Sequence, residues 1–155
     1  MAKVTKSMTI NVPVHTAYNQ WTQFESFPQF MEGVKDVRQT DDKHMHWKAE
    51  IAGKQEEWDA EIVEQIPDQR IAWRSTTGQP NAGAVDFHRV DDNTTEITLV
   101  IETEPKGLVE TVGGALGFLD RRVEGDLERF KEFIEKRGSE TGAYRGEIQG
   151  NEVRR

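Results

Sequence analysis

The chain has 155 residues, 28 of them acidic and 20 basic, for a net charge of −8 at neutral pH. That length makes one domain, which buries about 70% of the surface its unfolded chain exposes, and an acidic balance without a basic stripe argues against nucleic acid or an anionic membrane as partner. With no cysteine and no apolar run near the ~20 residues of a membrane span, disulfides, thiol catalysis, thiolate metal sites and membrane insertion drop out, and a cytoplasmic domain, monomeric or weakly dimeric, is expected.

Val4, Met8, Ile10 and Val12 share one parity, which predicts a strand ended by Pro13. Val14, Ala17, Tyr18, Trp21 and Phe24 then recur at helical spacing. The aromatic run from Phe24 to Met31 predicts a second, shorter helix or turn, capped by Ser26 and opened by Pro28. Beyond Gly33 come six strands, over residues 34–39, 44–51, 55–66, 70–75, 82–90 and 94–104, joined by turn chemistry such as Ala52-Gly53-Lys54 and Asp91-Asp92-Asn93. The long strands have one apolar and one charged parity. Met45, Trp47, Ala49 and Ile51 oppose His44, His46, Lys48 and Glu50, while Trp58, Ala60 and Ile62 oppose Glu57, Asp59 and Glu61. From Val109 to Ile134 apolar residues step by three or four, which predicts one long helix with Gly138 at its C-terminal cap. Residues 138–155 hold few apolar anchors and are expected to form a mobile tail beyond a domain of residues 1–137.

The class is therefore α+β: a seven-stranded antiparallel sheet with one dry face, and a single helix long enough to cover it. The sheet must curve around that helix, with two short helices after the first strand closing one end. A helix ~10 Å across does not fill such a trough, so large side chains or a guest must. Met45, Trp47, Trp58, Trp73, Ser75 and Phe87 from the strands, with Val112, Leu116 and Leu119 from the helix, are the candidate lining of a chamber for a hydrophobic small molecule. Gly113, Gly114 and Gly117 mark its candidate gate, since each glycine costs a helix interior ~1 kcal/mol relative to alanine.

This order of elements, with Val12-Pro13-Val14-His15-Thr16-Ala17-Tyr18-Asn19-Gln20-Trp21 and Phe24-Glu25-Ser26-Phe27-Pro28-Gln29-Phe30-Met31, resembles the START-like (SRPBCC) superfamily. Glu57-Trp58-Asp59-Ala60-Glu61-Ile62, Ile71-Ala72-Trp73-Arg74-Ser75 and the stretch from Val123 to Lys131 are similar to its bacterial polyketide cyclase/dehydrase branch. The resemblance spans roughly residues 4–137. It implies the helix-grip fold of the birch-pollen allergen and an internal cavity for a lipid-like or polycyclic ligand. Members include polyketide aromatase/cyclases, lipid-transfer proteins and coenzyme Q-binding proteins.

Cyclisation of a poly-β-keto chain needs polar groups inside the chamber. Arg89, on the parity of Phe87, is the candidate anchor for a carboxylate or enolate, and Tyr18, turned inward from the first helix, is the second catalytic candidate. His44 and His46 share a parity, but it is the charged one, so no metal is expected there. No phosphate loop, nucleophile elbow or cofactor motif is present. Three readings follow: a carrier of a hydrophobic molecule, a polyketide aromatase/cyclase using the same chamber, and an interaction module whose outer face docks a partner through Asp59, Glu61, Arg74 and Asp86.

Overall fold

The computed structural model describes residues 2–51, 53–78, 80–103, 112–150 and 152–154, with the backbone alone for 2, 51 and 112–119. Strand β1 (Ala2–Ile10) follows its alternation, with Val4 and Ile10 buried. It ends at Ile10, before the expected stop at Pro13, whose carbonyl accepts the Thr16 and Ala17 N–H groups that open helix α1 (Val14–Trp21).

A 3-10 helix spans Phe24–Gln29, with Gln23 before it and Pro28 inside it. The expected cap at Ser26 is thus corrected to Gln23, three residues earlier. The reason is spacing: Phe24, Phe27 and Phe30 recur every third residue, so a helix of three residues per turn stacks all three rings on one buried side.

Strands β2 (Val34–Gln39), β3 (His44–Ile51), β4 (Lys54–Ile66), β5 (Arg70–Ser75), β6 (Asn81–Asp91) and β7 (Thr94–Thr103) pair antiparallel, in the sheet order β1-β7-β6-β5-β4-β3-β2. Helix α2 (Val112–Arg137) lies against β1 and β7 and buries Val123, Leu127, Phe130 and Ile134, the three-or-four spacing of one stripe. Lys136 and Arg137 face its negative C-terminal end, and the Gly138 N–H closes on the Ile134 carbonyl at 2.8 Å. The architecture is the helix-grip arrangement of sheet and terminal helix. Among the described residues, no helix is long and apolar enough to cross a membrane.

The expectation of a mobile tail is overturned. Strands β8 (Glu147–Gln149) and β9 (Glu152–Arg154) form a hairpin that adds to β4, with Ile148 opposite Gln65 and Gln149 opposite Glu64. They bring the sheet to nine strands among the described residues. The segment docks because α1 offers it a polar face. Thr141 N–H donates to Gln20 Oε1 at 2.9 Å, Tyr144 N–H to Thr22 Oγ1 at 3.0 Å, and Asn19 Nδ2 to Glu140 Oε2 at 2.8 Å. Arg145 grips both oxygens of Asp68 at 2.7 and 2.9 Å, and Ile148 is fully buried. One buried side chain and a set of polar contacts suffice, and neither produces a periodic apolar pattern.

Candidate functional site

Cross-strand register builds the site. Pairing of β3 with β4 sets Trp47 opposite Trp58, pairing of β4 with β5 sets Ile62 opposite Trp73, and pairing of β5 with β6 sets Trp73 opposite Gly83. The three indoles stack nearly parallel with Trp47 in the middle: Trp47–Trp58 at 5.9 Å and 12°, Trp47–Trp73 at 6.4 Å and 15°. Gly83 makes this possible, because a Cβ there would sit 2.5 Å from Trp73 Cζ2. The wall joins the aromatic cluster of the closed end through Phe27–Trp47 at 5.6 Å and Phe24–Trp73 at 6.1 Å. Trp21 is the hub of that cluster, in contact with Phe27, Phe30, Phe87 and Phe130.

Among the described residues, the indole Nε1 atoms of Trp47 and Trp58, like that of Trp21 in the neighbouring cluster, are buried without a hydrogen-bond partner. An indole N–H only donates. The wall therefore presents flat apolar faces together with donors that lack acceptors.

Met45 is buried on the same side, opposite Ala60. Ser75 Oγ is engaged in structure, accepting the Asn81 N–H at 3.0 Å across the β5–β6 loop. Phe87 belongs to the α1 end, edge-on to Tyr18 at 5.4 Å, rather than to the indole stack. The side chains of Val112, Leu116 and Leu119 lie outside the described residues, and Gly113, Gly114 and Gly117 are described as helical backbone of α2.

Arg89 is not in the interior, which corrects its assignment as an oxygen anchor. The register shifts between Arg89 and Asp91, β6 has outrun the core from His88 onward, and the Arg89 guanidinium pairs with Asp92 in solvent. Tyr18 does turn inward and is fully buried, and burial pushes its hydroxyl up to about 12, against the pull of the Gln65 amide and the Arg145 charge. A phenol that keeps its proton so firmly is a hydrogen-bonding group and a poor proton donor to carbon chemistry near neutrality.

On the outer face His46 is held between Asp59 (Nδ1, 2.8 Å) and Glu57 (Nε2, 2.9 Å), which raises its pKa, Asp59 contributing most. His44 binds Asp41 instead. The charges proposed for partner docking are largely spent within the sheet, Arg74 on Glu61 at 2.8 Å and Arg70 on Asp86 at 2.8 Å. Among the described residues, no three His, Asp or Glu side chains form a metal-binding group.

Two residues escaped the sequence reading. Asp126 lies under the loop before β2, where burial raises its carboxyl to about 6 against the opposing pull of Arg129, the Glu32 N–H and Arg122. Around it Arg129 Nε donates to the Phe30 carbonyl at 2.9 Å and Arg122 Nη1 to the Glu32 carbonyl at 2.8 Å. The loop can approach so closely because it turns at Gly33, where φ is +88° and a Cβ would collide with the Arg122 guanidinium and the Glu50 carbonyl. The second is Gln65. Alternation from Ala60 and Ile62 sends it outward, but a bulge between Ile62 and Glu64 reverses the parity and buries it. No local sequence signal marks that bulge.

Residues 10–132 match the model of a family described as polyketide cyclase / dehydrase and lipid transport. A 17.2 kDa protein of Streptomyces lincolnensis is 53% identical over 149 residues, covering 96% of this chain and 99% of its own. Among solved structures, a START superfamily protein from Mycobacterium smegmatis superposes with a TM-score of 0.76 at 14% identity, over 88% of this chain and 99% of its own. The Zhui aromatase/cyclase of a Streptomyces species gives a TM-score of 0.71 at 16% identity, over 92% and 98%. At such identities the two structures establish the fold alone.

Proposed function

Because the chain belongs to the polyketide cyclase / dehydrase and lipid transport family, we propose that it binds a planar, oxygen-bearing apolar molecule against the indole wall, between the sheet and α2. In this reading Val112, Leu116 and Leu119 form the helix side of the site, and Gly113, Gly114 and Gly117 its gate.

The observation that carries the proposal is the pair of unpartnered donors, Trp47 Nε1 and Trp58 Nε1, on a stack of parallel rings. Ring faces favour a flat guest by offset stacking. A buried donor costs free energy until an acceptor reaches it, and a ring ketone supplies one along a flat ring while the alkyl tail of a lipid does not. Binding is favoured over cyclisation because Arg89 stands in solvent and Tyr18 holds its proton to about 12.

The test is fluorescence titration with 1,4-naphthoquinone and with palmitate. The quinone is expected to bind, and Trp47→Phe and Trp58→Phe, which keep a ring and remove the N–H, should each weaken it by about 2–10-fold, the worth of one hydrogen bond. Tighter binding of palmitate, indifferent to both substitutions, would replace this reading with lipid carriage. Turnover of a poly-β-keto thioester by the wild-type protein would replace it with catalysis.

A further inference from the structure

The bulge in β4 brings Gln65 to the inner face, 1% exposed, with its Nε2 lacking a hydrogen-bond partner among the described residues. The side chain of Tyr18 arrives at the same place from α1. It is fully buried, its Oη also makes no hydrogen bond among the described residues, and the Gln65 amide lies near enough to act on it. Two polar groups facing one another unsatisfied in the interior call for a third that serves both.

The surroundings define what fits. The C-terminal segment seals the niche from outside: Ile148 pairs with Gln65 across β8 and β4, and the Arg145 guanidinium, fixed by Asp68, lies 5.3 Å over the Tyr18 ring. Along the inner face, Gln65 stands opposite Ile71, two residues before Trp73 on β5. That is a step of about 7 Å along a strand, so a fused-ring molecule lying on the indole wall and pointing toward the closed end brings its leading atom to the niche.

We propose that Tyr18 and Gln65 form a polar end-stop, a binding site for one hydroxyl or carbonyl oxygen at the leading end of the ligand. The proposal rests on the reading that the indole wall holds such a ligand. A hydroxyl accepts from Gln65 Nε2 and donates to Tyr18 Oη, and a carbonyl accepts from both. A methyl group of similar size leaves both unsatisfied, which is the kind of mismatch a hydrogen-bonding site rejects most strongly.

Calorimetric titration of the full-length protein with 2-naphthol and with 2-methylnaphthalene tests this, since the two differ only in the oxygen. Wild type is expected to prefer 2-naphthol by about tenfold, a preference of the size expected for one well-made pair of hydrogen bonds. Tyr18→Phe and Gln65→Leu together should cut the preference to what the indole donors supply and leave 2-methylnaphthalene affinity within twofold of wild type. Both substitutions replace an unsatisfied polar end with an apolar one of similar shape, and thermal unfolding confirms that the variant is folded. An oxygen preference undiminished in the double variant would overturn the end-stop and leave the niche to a buried water, with the indole wall unaffected. Failure of wild type to bind either compound would remove the wall and the end-stop together.

Discussion

Gly83 shows how one missing side chain shapes the site. The Trp73 ring lies where a Cβ of residue 83 would be, with three ring atoms within 3.1 Å of that position. The ring is packed between Phe24 and Trp47 and cannot swing away. Gly83→Ala is therefore expected to cost about 1–3 kcal/mol as overpacking and to tilt the indole stack. Urea denaturation would read the first effect and near-ultraviolet circular dichroism the second. An alanine variant with the wild-type midpoint and wild-type tryptophan bands would mean that Trp73 does not rest on β6. Arg89 and Gln65 teach the complementary lesson at this scale. Arg89 was assigned by alternation and Gln65 was passed over because of it; alternation is reliable only while a strand stays in register, and each residue lies beside a shift that it does not reveal. Tyr18 was legible as an inward-turning residue, but its role was not, because that depends on what faces the hydroxyl.

Among the elements, the C-terminal segment carries the most unexpected weight. It follows α2 past Gly138, covers the polar side of α1, and ends as a hairpin on β4. Gln20 and Thr22 are buried polar residues in contact with it, which makes their hydrogen bonds to Thr141 and Tyr144 hard to lose. Ile148→Ala is expected to destabilise the protein by about 2–5 kcal/mol, the usual range for a large aliphatic side chain removed from a core. Truncation after Arg137 should lower the denaturation midpoint at least as far and speed amide exchange in α1. A truncated chain that unfolds at the wild-type midpoint, with α1 equally protected, would leave the docked hairpin without energetic consequence. Helix α2, in contrast, was readable over its C-terminal half: the stripe from Val123 to Ile134 and the glycine cap each follow from local rules, while Val109 lies outside the described residues.

For the whole molecule, the buried carboxyl of Asp126 sets an unusual pH dependence. Its pKa in the fold is about 6, above the model-peptide value of 3.8, so the folded protein binds the proton more tightly than the unfolded chain. Stability contributed by the protonated form is fully present below about 3.8 and is lost as the pH rises through about 6. His46, whose pKa is also raised, acts in the same direction above its ordinary 6.5. Asp41, Asp59, Glu57 and Glu61 have lowered values and act oppositely, losing their contribution in strong acid. Thermal stability is therefore expected to peak near pH 5 and decline on both sides. Asp126→Asn should flatten the decline between about pH 5 and 7.5, an effect of order 1–3 kcal/mol, measured as melting temperature across that range. A variant with the same slope as wild type would assign the decline to other groups.

The sequence by itself determined the class, the chain order of its elements, the parity that places Trp47, Trp58 and Trp73 on the dry face, and the family resemblance that the match over residues 10–132 bears out. These depend on spacing along the chain, and a period of two or of 3.6 is written in neighbouring residues. Tertiary structure alone decided the rest. It put Gly83 under Trp73, left the indole donors of Trp47 and Trp58 without acceptors among the described residues, turned Gln65 toward Tyr18, sent Arg89 to solvent and seated the last residues on β4. Each of those outcomes depends on which residues distant in the chain stand opposite one another. Register, bulges and close approach settle that only once the sheet has closed around its helix.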